Sequence, residues 1–323
     1  MLKRLFAALR GKQSEREPDA PMEGAGTAPP PDEQLVTVYD AEGHELQITL
    51  ADWRDKVFLP QLESEWDNAD ALYNLIISGV NDGLAADVAP AAARLHEIDH
   101  MPERSHVTLG IVQMNNGQLD LAEATLRAGM AKVGETGTLL TNLAKVFDAR
   151  GDAALADQTL WRAVQADPNQ ENGMMWWATI QRERHGEEAY VEALRTVAAL
   201  PGSWRAQLWL AQHCLGQEDV DAARALYAEV LAMGTFDRRA LMMISGALGN
   251  AGQVALIVEL VAPAYDERTH DPMTGLNLLR AYQVLGRIDE GRALLARMYA
   301  LEMPPIRQYL DSFAQAFQPQ STA

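Results

Sequence analysis

The stretch GTLLTNLAKVFDARGDAALADQTLWRAVQADPNQ, residues 137–170, decides the fold. Two apolar runs flank Arg150-Gly151-Asp152, and the stretch closes on Asp167-Pro168-Asn169, where proline ends the helix behind it. The first run carries Leu143-Ala144. The second carries Ala156, small enough to let two helices approach closely, and the bulky Leu160 four residues later. The same skeleton recurs on both sides. Gly83, Gly117 and Gly151 are spaced by 34 residues, Gly252 and Gly286 are again 34 apart, and Glu218 stands one period before Gly252. The slot of Leu143-Ala144 is filled elsewhere by Leu75-Ile76, Leu109-Gly110, Trp177-Ala178, Leu210-Ala211, Ile244-Ser245 and Leu278-Leu279. Ala122 with Leu126 and Ala223 with Tyr227 repeat the small-then-bulky pattern.

On these residues the chain resembles the tetratricopeptide repeat family. The resemblance implies an all-α, right-handed superhelical solenoid of about seven helix-turn-helix units, at roughly 69–102, 103–136, 137–170, 171–203, 204–237, 238–271 and 272–305. The fourth unit departs most, with His185-Gly186 displaced by one, Tyr190 where Ala is usual, and one residue fewer. In the first, Pro90 is expected to bend the second helix. Beyond Pro304-Pro305, Ile306, Tyr309, Leu310, Phe313 and Phe317 are expected on one apolar face of a capping helix within 306–323.

The other end reads differently. Leu35–Tyr39 and Glu45–Thr49 are β-branched and aromatic runs around Asp40-Ala41-Glu42-Gly43-His44, a hairpin followed by a helix, so 35–68 forms an N-terminal cap. Residues 13–34 lack hydrophobic periodicity and are rich in Pro and Gly, which predicts a disordered linker. In residues 1–12, Leu2, Leu5, Phe6 and Leu9 make one apolar stripe beside Lys3, Arg4, Arg10 and Lys12, a pattern that fits either a frayed basic terminus or a short amphipathic segment that touches a membrane surface. Together with the hairpin, Ala51 to Val57 and Asn142-Leu143-Ala144-Lys145, the array resembles a bacterial group of tetratricopeptide proteins of unassigned role.

Composition narrows the function. The 323 residues carry 45 acidic and 27 basic side chains, net −18, which argues against a nucleic-acid surface. The single cysteine, Cys214, rules out an internal disulfide and suits a reducing cytoplasm. The chain has no G-x-x-x-x-G-K-[ST] loop and no G-x-S-x-G elbow. His96-Glu97-Ile98-Asp99-His100 spells the zinc motif H-E-x-x-H, but it falls at the end of a repeat helix and lacks an identifiable third ligand. Trp161, Trp176, Trp177, Trp204 and Trp209 read as core packing rather than a ligand cage.

The expected role is a non-enzymatic, cofactor-free, metal-free cytoplasmic scaffold that binds a protein or peptide, with residues 1–12 either a solvated tail or a peripheral membrane contact. The rival readings are an enzyme with an unrecognised site and a self-assembling structural solenoid. The family's concave positions, transferred by register, place Lys145, Arg182, Arg205, Arg239 and Arg280 in the groove, with Asn142 and Asn277 beside them. A basic strip inside an acidic protein favours an acidic or C-terminal carboxylate-bearing partner. Replacing Arg205 and Arg239 by Glu is expected to abolish capture without changing melting.

Overall fold

The computed structural model describes residues 35–39, 45–234, 236 and 238–317. The tether, the basic segment carrying Leu2, Leu5, Phe6 and Leu9, and the hairpin loop with Gly43 lie outside the described residues. The chain divides into two compact units, between Val133 and Gly134.

In the first unit, β1 (Leu35–Tyr39) and β2 (Glu45–Thr49) pair antiparallel, with Leu35 opposite Thr49 and Tyr39 opposite Glu45. The chain passes straight from β2 into helix α1, which runs as Leu50–Trp53, a π-helical turn Arg54–Phe58, and Leu59–Ser64. Thr49 starts it, its hydroxyl oxygen accepting from the Asp52 amide at 3.0 Å and satisfying one orphan N–H of the first turn. The π turn brings Trp53 and Phe58 into a stack with centroids 5.0 Å apart. Helices α2 (Ala69–Asn81), α3 (Ala89–Ile98), α4 (Pro102–Asn115) and α5 (Leu119–Val133) follow as two packed pairs. Phe58, Leu72, Ile76, Val88 and Leu95 form the core, and Val36 and Ile48 of the hairpin pack against it. An isolated two-stranded hairpin is marginal in water, and this contact supplies the apolar face it needs. Close approach is built in at Gly79, where a Cβ would meet Val88 Cγ1 at 2.5 Å and Phe58 Cζ at 2.7 Å. Pro90 does not bend α3. It lies in the first turn, where the missing N–H has no intrahelical partner to lose.

The second unit holds α6 (Gly137–Ala149), α7 (Ala153–Ala166), α8 (Glu171–His185), α9 (Glu187–Ala198), α10 (Arg205–Gly216) and α11 (Val220–Met233). Then come α12 (Ala240–Asn250), α13 (Val254–Leu256 and a π turn Ile257–Val261), α14 (Pro272–Val284), α15 (Ile288–Tyr299) and, after a 3-10 turn, α16 (Arg307–Ala316). Consecutive helices pack as pairs, and one continuous core runs from Trp204 to Phe317. Helix α16 covers the last pair with Ile306, Leu310 and Phe317, the last so close to α15 that a Cβ on Gly291 would meet its ring at 2.3 Å. Tyr309 is not part of that face. It is 54% exposed, because Ile306, Leu310, Phe313 and Phe317 recur at intervals of four, three and four residues, and Tyr309 falls beside that stripe.

The period is visible in the backbone. Gly83, Gly117, Gly151, Gly252 and Gly286 each take positive φ just past a first helix, and Glu218, one period before Gly252, takes it too, at 61°. Side-chain ion pairs also keep the period. Arg94 Nη2 meets Asp67 Oδ1 at 2.6 Å, and two periods later Arg162 pairs with Glu135.

Candidate partner-binding face

The candidate residues of the groove lie on the first helices of the pairs in the second unit. Thr136 starts α6 by accepting from the Leu139 amide at 3.2 Å, and from there Asn142 and Lys145 fall one turn apart. Asn142 is 7% exposed. Its Nδ2 donates to the Thr138 carbonyl at 2.9 Å, and its Oδ1 is buried with no partner. Lys145 is half-buried, no ion pair to it is found among the described residues, and burial alone pushes its ammonium below the usual lysine value. On α8, Arg182 is exposed, with its guanidinium 5.0 Å from the Tyr190 ring centroid and no carboxylate partner among the described residues. On α14, Arg280 is exposed and donates to Gln283 Oε1 at 3.0 Å, while Asn277 donates to the Ser245 hydroxyl oxygen at 2.9 Å.

Arg205 behaves otherwise. It is 4% exposed, its Nε donates to the Asn169 carbonyl at 2.7 Å, its Nη1 pairs with Glu171 Oε2 at 3.1 Å, and its guanidinium lies 4.7 Å from the Trp204 ring centroid. The Asn169 side-chain oxygen also accepts from the Trp204 and Arg205 amides, at 2.8 and 3.0 Å. Arg205 therefore braces α10 against the loop before α8. Unchanged melting is no longer the expectation for its replacement by Glu, because a carboxylate there would face Glu171 in a buried setting. Arg239 is exposed at the start of α12, and with Asn169, Glu171, Asn172, Trp204 and Arg205 it lines a cavity of about 450 Å³. The structure thus brings Arg205 and Arg239 together, and that cavity includes none of Lys145, Arg182 or Arg280.

Sequence reasoning missed the partners of these arginines. The signal was available, since Glu171 precedes Arg205 by one period, as Asp70 precedes Arg104. In the first unit Arg104 Nη1 meets Asp70 Oδ1 at 2.6 Å and Arg104 Nε meets Asp99 Oδ2 at 2.8 Å.

The H-E-x-x-H stretch has no metal-binding geometry. Helix α3 ends at Ile98, Asp99 turns to extended backbone and binds Arg104, and the His100 side chain is 85% exposed beyond the helix. His96 instead packs edge-on against His106, centroids 4.4 Å apart, with its Nδ1 buried and unpartnered. Burial, then His106 and Lys132, push its pKa down, against smaller opposing effects of the Ser105 backbone and Glu97. Among the described residues no group of three or more His, Cys, Asp or Glu could hold a metal ion. Trp161 and Trp177 pack with centroids 4.9 Å apart in the partly buried layer that also holds Trp176 and Trp209. Burial pushes the Cys214 thiol up, away from the reactive thiolate. No described helix is long and apolar enough to cross a membrane.

No family model and no curated protein matches the chain. Several solved structures are similar to it. Pseudomonas aeruginosa PilF is 15% identical, over 66% of this chain and 97% of that one, with a TM-score of 0.33. A tetratricopeptide repeat protein from Parabacteroides merdae is 10% identical, over 77% and 98%, with a TM-score of 0.32. YrrB, a tetratricopeptide protein with an unusual peptide-binding site, is 16% identical, over 58% and 96%, with a TM-score of 0.31. At these values the likenesses carry no argument about site or activity, and the assignment rests on the chain's own repeat. Seven helix pairs among the described residues, with a left-handed turn recurring at a 34-residue period, identify the chain as an array of tetratricopeptide-type repeats.

Proposed function

We propose that the protein is a non-enzymatic interaction scaffold that holds an acidic polypeptide segment along the first helices of residues 134–323. One observation carries the reading. In a chain of net charge −18, Lys145 and Arg182 have no carboxylate partner among the described residues, whereas Arg94, Arg104, Arg162, Arg184, Arg205 and Arg224 each have one. Arg239 and Arg280 extend the basic character to α12 and α14. An acidic partner would be steered toward these cations and repelled by most of the remaining surface, and added salt would weaken both effects.

The scaffold acts in the cytoplasm in this reading, with Leu2, Leu5, Phe6 and Leu9 giving it a weak hold on anionic membranes. Capture of a partner from native lysate by wild type and by an Arg239→Glu, Arg280→Glu variant tests the groove. The variant should lose most of the captured partner while keeping its helicity and melting, since neither side chain is buried. Equal capture by both proteins would contradict the reading and move the site to the second helices or the hairpin.

A further inference from the structure

Strands β1 and β2 make a two-stranded sheet, with no third strand among the described residues. Each strand therefore has one paired edge and one outer edge. No other backbone hydrogen bond among the described residues reaches residues 35–39, so the outer edge of β1 leaves a row of N–H and C=O groups open. Natural sheets guard such edges with charges, prolines or bulges. The five residues of β1, Leu-Val-Thr-Val-Tyr, hold no charge and no proline, and they face β2 residue for residue with no bulge. Leu35, at the start of this edge, is 61% exposed.

An edge of alternating donors and acceptors is completed by another extended strand. The segment that leads into β1 is poorly suited to supply it. Residues 13–34 include Pro18, Pro21, Pro29, Pro30 and Pro31, which have no N–H to give, and residues 1–12 carry four cations. Strand β1 is suited to itself. In an antiparallel pair about a two-fold axis, the register that uses all five residues sets Thr37 opposite Thr37, Val36 opposite Val38 and Leu35 opposite Tyr39. No charge meets a like charge there, which matters for two chains of net −18. The Thr37 hydroxyl accepts from Gln47 Nε2 at 2.8 Å on the exposed face, and its own proton remains to be donated across the axis.

We propose that β1 is a self-association edge, at which two copies of the chain join antiparallel about Thr37 into a four-stranded sheet of order β2-β1-β1-β2. Five residue pairs bury far less than the roughly 1,200 Å² of a stable interface, so the dimer exchanges with monomer at micromolar concentrations. This surface is separate from the groove, and it responds to salt in the opposite sense.

The test is sedimentation velocity on the full chain from about 5 to 500 µM, a range that spans weak interfaces. Wild type should pass from monomer to dimer, more readily at high salt, because screening relieves the repulsion between two acidic chains. Thr37→Lys and Thr37→Glu each set like charges across the axis and should raise Kd about fivefold or more. An equal mixture of the two variants should form a heterodimer tighter than either homodimer. Hydrogen exchange of wild type at the two ends of that range should add protection to residues 35–39. Wild type that stays monomeric throughout would overturn the proposal, even if another protein's strand were found on this edge. So would single variants that dimerise as wild type does, a mixture that gains nothing, or added protection confined to the helices. Circular dichroism reports whether each variant is folded, and the exchange measurement on wild type decides the matter if one is not.

Discussion

In the first unit Arg104 sits between Asp99 and Asp70, over the face of Tyr73 at 5.3 Å, and its charge is answered twice by its own chain. In the second unit Arg205 is answered by Glu171 in the same way, but Lys145, on α6, the first helix two pairs earlier, is answered by nothing among the described residues. The repeat supplies basic side chains to comparable faces in both units and treats them in two ways. Those near the start of a first helix can reach an acid one period back and become braces. Further along, Lys145 and Arg182 have no carboxylate partner among the described residues, although Arg184, near the end of α8, pairs with Asp157 of the preceding helix pair. An acid within reach, as Glu171 is for Arg205 and Asp157 for Arg184, rather than residue type, makes a basic side chain a brace.

Substitutions can break or sharpen this contrast, beginning with the largest expected effect. Arg205→Glu should cost about 2–4 kcal/mol in urea or thermal unfolding, since a buried ion pair is replaced by like charges and Glu171 is only half-exposed. Lys145→Gln should leave stability within about 0.5 kcal/mol or raise it, because it removes a desolvated charge with no counter-ion among the described residues. Equal costs for the two would erase the distinction between brace and binding cation. Glu218→Gly should stabilise the second unit by about 1 kcal/mol, since Glu218 holds a left-handed φ that its counterparts in other repeats meet with glycine.

A smaller effect is expected in the first unit with pH. The lowered His96 pKa means the unfolded chain binds a proton more readily than the folded one. The associated stability is fully present above 6.5, the unfolded value, and is lost as pH falls from there through the folded value. His96→Phe should flatten that part of the pH–stability curve, and an unchanged curve would remove His96 as its source. The weakest effect concerns residues 1–12. Their deletion should release the chain from anionic liposomes, and equal sedimentation of both proteins would leave the segment without a membrane role.

Much of the fold is legible in the sequence because the repeat writes it several times. Gly83, Gly117 and Gly151 mark the same left-handed turn in three places, so one mistaken residue does not move the register. Single-copy features were harder to read. Whether Pro90 bends a helix or starts it depends on a boundary of one or two residues, and the structure begins α3 at Ala89. Tyr309 looked like a core residue because aromatic character and approximate spacing cannot separate a stripe from its neighbour. The π turns at Arg54–Phe58 and Ile257–Val261 have no local signature.

The site was less legible than the fold. Register alone could list Arg205 and Lys145 as equivalent candidates, because the difference between them is made by Glu171 and Asn169, which approach through packing from the preceding pair. An Arg one period after an acid was the available signal. Nothing in the sequence marks the orphaned Asn142 oxygen, since its burial depends on what closes over it.

Hydrogen exchange measured by mass spectrometry on the full chain, with and without the partner recovered by capture, tests the central claim most directly. The account predicts added protection in peptides covering α6, α8, α12 and α14, carried by the side chains of Lys145, Arg182, Arg239 and Arg280, with little change in α7, α9 and α11. Protection concentrated in α7, α9 and α11, or in the hairpin Leu35–Thr49, would contradict it.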